Sequence, residues 1–226
     1  MANSEPSRRL SPEKRRATIL SAAAEVFFEQ GYAATSIDAI IARIGGSKRN
    51  IYNEFGSKEG LFTALVSETA GKARTALDVD DFEERDLDQT LLEIGRRLLD
   101  VYMSPTLIGV LRTVMAEAAR FPDLARAFYE NGPGQTSARL AEVLETARAR
   151  GEIDVADCLT AANHFCGMLR DNLHMQVVLG LRPAPAPDEI ERLATSVVGI
   201  FLDGARARRA GIDRGRMARL GSANSG

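Results

Sequence analysis

Between Ser47 and Asn53 the chain reads Ser-Lys-Arg-Asn-Ile-Tyr-Asn, a run in which almost every side chain can bind nucleic acid. The guanidinium of Arg49 offers a bidentate fork to the major-groove acceptors of guanine, and the carboxamide of Asn50 pairs with adenine. Lys48 can read guanine or bind phosphate. Tyr52 and Asn53 can reach phosphate oxygens. Thr35 and Ser36 at one helix start, Ser47 at the next and Lys58 at a third complete the candidate DNA-binding set, because the positive end of a helix favours an anion. The plainer reading of Lys48–Asn53 is a solvated helix face, and only the flanking residues decide between the two.

Those flanking residues describe two short helices joined by a tight turn. Thr35 or Ser36 is placed to cap the first, with Asp38 in its first turn. Ile37, Ile40, Ile41 and Ile44 then recur at helical spacing. Gly45 and Gly46 end that helix, since glycine accepts left-handed backbone without penalty. Ser47 starts the second, whose apolar positions are Ile51 and Phe55, and Gly56-Ser57 stops it and starts another. A polar, basic helix set after an apolar one across a glycine turn is a helix-turn-helix, whose second helix enters the major groove. A longer helix precedes it: Ser11-Pro12-Glu13 supplies a cap, a first-position proline and a first-turn acid, and Gly31 closes it after Gln30. A fourth begins at Ser57-Lys58-Glu59 and runs to about Leu77, with Leu61, Phe62 and Leu65 inward.

The 226 residues are 45% hydrophobic, enough for a large core beside this small bundle. The net charge of -2 is not that of a general nucleic-acid coat, but it is unevenly spread. Residues 1–60 hold nine Lys and Arg against seven Asp and Glu, and the remainder twenty against twenty-four. A locally basic end on an acidic body suits phosphate contact at one end. No run of apolar residues is long enough to span a membrane, and the first residues lack the apolar segment of a secretory signal. Cys158 and Cys166 fall on one predicted helix about 12 Å apart, too far for a disulfide. A cytoplasmic protein is expected.

After an acidic connector over 78–88, helices are predicted at 88–103, 105–120, 122–131, 134–150, 155–180 and 187–207, punctuated by proline and glycine. No sustained two-residue alternation occurs, so the fold class is all-α. The expected organisation is a disordered basic arm over 1–10, a helix-turn-helix domain over 11–60, a larger helical domain over 61–207 and a flexible tail over 208–226.

Phe27 with Gly31-Tyr32, then Thr35-Ser36, Ser47-Lys48, Ile51-Tyr52, Phe55 and Ser57-Lys58-Glu59 with Leu61 stand at offsets that resemble the TetR family of transcriptional regulators. The segment Met115–Glu130 resembles the C-terminal domain of its AefR-like subgroup. The resemblance implies a homodimer whose N-terminal domain reads a palindromic operator and whose C-terminal domain senses a small molecule, most often to lift repression. Gly46 departs from the family, which usually has a branched apolar residue there. Arg49 and Asn50 replace small residues and so become this chain's own specificity determinants.

Two helical stripes are candidates for the dimer interface: Leu169, Leu173 and Val177 on one, and Leu193, Val197 and Phe201 on the other, pairing as a four-helix contact. The plainer role for both is packing within one chain. For a ligand pocket the candidates are Met103, Leu107, Leu111, Met115, Phe121, Phe128, Tyr129, Phe165 and Met168, with His164, Arg170, Asn172 and His174 as polar anchors. Plain core is the commoner fate of such residues. No cofactor is expected. No metal site is expected either, since His164 and Cys166 point to opposite sides and Asp171 with His174 makes only two ligands. Nucleophile-elbow, zinc-protease and P-loop signatures are missing. The competing reading is a helical interaction module whose helix-turn-helix no longer binds DNA.

Overall fold

The computed structural model describes residues 11–78 and 86–206, and within them the chain is all-α. The arm expected over 1–10 and the tail expected over 208–226 lie outside the described residues. The head is built from α1 (Pro12–Gln30), α2 (Ile37–Ile44), α3 (Lys48–Phe55) and the first half of α4 (Lys58–Thr75). The body comprises α5 (Leu87–Tyr102), α6 (Pro105–Glu117), α7 (Pro122–Asn131), α8 (Pro133–Ala149), α9 (Cys158–Leu169), α10 (Asn172–Val178) and α11 (Pro187–Ala205).

Local chemistry sets these limits. Ser11 Oγ accepts from Lys14 N–H, and Ser36 Oγ from Ala39 N–H, so each satisfies a donor that the first helical turn leaves free. Gly31, Gly45 and Gly56 end α1, α2 and α3 at positive φ. One expected helix does not exist as a unit. The stretch 155–180 breaks at Arg170, and Asp171 restarts it by accepting from the N–H groups of Leu173 and His174. A carboxylate at a cap position outweighs the continuous apolar spacing on either side, which is why the pattern alone runs through the break.

Two apolar clusters hold the molecule. The first joins Phe27, Tyr32, Ile40, Ile51, Phe62 and Leu65 of the head to Val110, Val114 and Leu124 of α6 and α7. The second unites α5, α8, α9 and α11 around Leu98, Leu144, Phe165 and Phe201. The boundary expected between residues 60 and 61 falls inside α4, whose Leu61 and Phe62 serve the first cluster and whose Ala73 serves the second. Gly109 explains how closely α6 lies on α1: a Cβ there would come within 2.5 Å of the Phe28 ring.

Candidate DNA-reading head and ligand pocket

The head presents α3 by burying its two apolar residues. Ile51 and Phe55 are buried, and Ser47, Lys48, Arg49, Asn50, Tyr52 and Asn53 are all exposed around them. The helix is held by neighbours rather than by its own cap, because the Ser47 hydroxyl makes no capping bond. Glu54 pairs with Arg16 of α1 at 3.3 Å, and that guanidinium lies 4.9 Å over the Phe55 ring. Lys48 pairs with Asp38 of α2 at 2.8 Å across the turn, and that hydrogen bond raises its pKa. Arg43 clamps α2 to α1 through Glu25 and Glu29. Arg49 has no charged partner among the described residues, so its fork is free to meet another molecule.

Two of the expected phosphate anchors face inward instead. Thr35 is 3% exposed, and its hydroxyl donates to the Gly31 carbonyl at 2.8 Å. Lys58 turns back under the α1–α2 loop. Its ammonium donates to the carbonyls of Tyr32 (2.8 Å), Ala33 (3.2 Å) and Thr35 (3.0 Å) and lies 4.6 Å from the centre of the Tyr32 ring. Burial lowers its pKa. Both side chains lock the loop that carries α2 and leave nothing to offer a phosphate. No sequence signal marks this role, since the carbonyls come from 23 to 26 residues away.

Gly46 adopts φ +101°, and a Cβ there would touch nothing within 4 Å. A cleft of about 210 Å³ opens beside it, lined by Arg15, Ile19, Ile41, Ile44, Asn50 and Ile51 among others. The turn is therefore kept by backbone geometry that suits glycine, and the space a branched side chain could fill remains open.

In the body, a cavity of about 60 Å³ lies where α4, α5, α6, α7, α8 and the α9–α10 break converge. Among the expected pocket residues, Leu107, Leu111, Phe128, Arg170 and His174 line it. The other candidates are elsewhere. Met103 and Phe165 are sealed in the second cluster, with Phe165 edge-on to Phe201 at 5.2 Å, and Met168 packs against the same core. Met115 is 60% exposed, and Tyr129, His164 and Asn172 are also on the surface. Phe121 packs on Tyr32 in the head cluster at 5.0 Å. The wall that spacing did not identify comes from α4, through Val66, Thr69, Ala70 and Ala73, and from Thr136 of α8. Those α4 residues are apolar or small on a helix that reads as part of the head. Inside the cavity His174 is buried, which lowers its pKa, with Arg170 acting in the same sense. Burial raises the pKa of Tyr102, and its hydroxyl stays neutral. Among the described residues no group of three or more His, Cys, Asp or Glu is placed to hold a metal ion.

The expected dimer stripes are also internal. Leu169, Val177, Val197 and Phe201 are buried, and Leu173 and Leu193 pack against the same core. The opposite faces of α9 and α11 are bare: Leu159, Asn163, His164 and Gly167 on one, Ser196, Gly199, Ile200 and Asp203 on the other. Three-four spacing selected the stripe with most hydrocarbon, and that stripe closes the chain's own core.

Comparison with known proteins agrees with this layout. Residues 19–65 match the bacterial regulatory proteins of the tetR family. Residues 89–204 match the C-terminal domain of AefR-like transcriptional repressors. A helix-turn-helix transcriptional repressor of Mycobacterium tuberculosis is 32% identical over 168 residues, covering 73% of this chain and 86% of that protein. The solved structure of the flavonoid-responsive regulator FrrA superposes with a TM-score of 0.72 at 34% identity, covering 87% of this chain and all of that one. A regulator from Mesorhizobium loti superposes with a TM-score of 0.73 at 30% identity, over 88% of this chain and 100% of its own. With its glycine-turned reading head and a body that matches the AefR-like domain, the chain belongs to the TetR family of helix-turn-helix transcriptional regulators.

Proposed function

We propose that this regulator is a cytoplasmic homodimeric repressor that binds a palindromic operator and releases it when a small molecule enters the α4–α10 cavity. The observation that carries the reading is α4. One unbroken helix has Leu61 and Phe62 under the reading head and Val66, Thr69, Ala70 and Ala73 in the cavity wall. Ligand pockets commonly reach several hundred Å³, and this cavity holds about 60 Å³. An occupant must therefore part the walls, and moving α4 moves the helices packed on it. Such a ligand releases DNA only to the extent that it prefers the parted form.

The outward faces of α9 and α11 supply the dimer contact, where Gly167 and Gly199 permit close helix approach. Two α3 helices about 34 Å apart would then meet successive major grooves on one face of DNA. The relatives' names support this direction: one is a repressor, and another responds to flavonoids.

Fluorescence anisotropy on the DNA upstream of the gene, at several salt concentrations, tests the reading. Arg49→Ala is expected to cost about 1–3 kcal/mol on the operator and to relax preference at one base pair. Equal losses on operator and random DNA would remove Arg49 from base reading. A wild-type protein that shifts neither DNA would favour the interaction-module alternative.

A further inference from the structure

Taking the α4–α10 cavity as the effector site, as proposed above, we propose that its occupant is a weak organic acid, an apolar ring or chain that brings an anionic oxygen to Arg170. The cavity has two unlike sides. Val66, Ala70, Leu107 and Phe128 present hydrocarbon, whereas Arg170 and His174 stand together at the α9–α10 break, and no Asp or Glu among the described residues lines the wall.

Arg170 is an exposed residue at the rim of the cavity, oriented by two contacts and without an ion-pair partner among the described residues. Its guanidinium carbon lies 5.4 Å over the Tyr102 ring, and Nε donates to the Cys166 carbonyl at 3.2 Å. Its terminal nitrogens have no carboxylate partner among the described residues. The adjacent Asp171 makes no ion pair with it among the described residues, and its Oδ1 accepts instead from the backbone of Leu173 and His174. Other body arginines are engaged: Arg96 with Glu191, Arg182 with Glu189, Arg206 with Asp88, and Arg112 with the Val177 and Val178 carbonyls.

A guanidinium fork matches a carboxylate in two parallel hydrogen bonds, and the ligand's apolar part strengthens them by excluding water. His174, whose burial lowers its pKa, lines the same side without bringing a second full charge. A cationic ligand would find repulsion from Arg170 and no carboxylate among the described lining residues to receive it.

Isothermal titration of the full-length protein with butylbenzoate and its neutral counterpart butylbenzamide tests the assignment. The acid is expected to bind about tenfold more tightly than the amide. Arg170→Gln should bring that ratio to about one by weakening the acid alone, and Arg170→Lys should restore part of it. Equal affinities in the wild type, or a ratio that survives Arg170→Gln, would overturn the proposal. Hydrogen exchange locates the site independently, with butylbenzoate expected to slow amides over residues 66–73 and 168–178. Binding of neither compound, or protection outside those segments, would overturn the pocket reading itself.

Discussion

Replacing Lys58 by Met separates two roles that one lysine at a helix start could have. The substitution keeps the aliphatic stem and removes the ammonium, and with it three hydrogen bonds, to the Tyr32, Ala33 and Thr35 carbonyls. At about 1 kcal/mol each, with about 0.5–1 kcal/mol for the cation over Tyr32, the lock is worth about 2–4 kcal/mol. The partly exposed site keeps the figure at this level, since water can reach some of the freed carbonyls. A chain of this size loses about 2–4 °C in Tm per kcal/mol, so the midpoint should fall by about 4–16 °C. Thermal unfolding at one fixed protein concentration measures this, because the proposed dimerisation would make Tm concentration-dependent. Operator titrations run in parallel should show an unchanged dependence of log affinity on log salt. An unchanged Tm together with a salt slope smaller by about one would refute the lock and return Lys58 to a phosphate.

Gly46→Val should lower stability by about 1–3 kcal/mol although the space around the turn is open, because the cost lies in positive φ; a denaturant midpoint at or above wild type would show that the turn can rebuild. Ile200→Asp, on the bare face of α11, should shift sedimentation toward monomer at little cost to subunit folding, whereas Val197→Ala should lower the free energy of unfolding by about 1 kcal/mol without changing the assembly. A dimer unaffected by Ile200→Asp would place the interface elsewhere. Burial and Arg170 hold His174 below its ordinary 6.5, with Asp171 and the Tyr102 carbonyl opposing. The unfolded chain thus takes up this proton first, and stability should fall as pH drops below about 6.5. His174→Gln should flatten that part of a Tm–pH curve, and an unchanged slope would assign the dependence to other groups.

What could be read from the sequence was what depends on near neighbours. The isoleucine spacing of α2, the glycines of the turn and the caps of α1 and α2 act within a few residues, and they place α3 and its exposed side chains. The inward roles of Thr35 and Lys58 depend on carbonyls brought up by the fold, and their residue types fit a phosphate contact equally well. Apolar spacing marked Leu169 and Val197 but could not say whether their stripe meets its own chain or another. The face left bare sets Leu159 and Ile200 among glycines, Asn163 and Asp203, too little hydrocarbon for a continuous apolar stripe. Met115 shows the reverse error: an apolar residue at the right spacing on α6 that ends on the surface. The α4 wall was hidden because the same helix already had a complete inward face in the head.

The placement of α6 limits how this protein can be recombined. Its Arg112 holds the carbonyl end of α10, Gly109 admits the Phe28 ring of α1, and Glu117 accepts from the Ala33 N–H at 3.0 Å. Val110 and Val114 meanwhile complete the apolar cluster beneath the reading helices. A reading domain excised near residue 60, or grafted onto a relative's sensor, would leave that cluster uncovered and the Ala33 amide without its acceptor. A working chimera must exchange α1 and α4 together with α6 and the start of α7, so the transplantable unit is discontinuous in sequence.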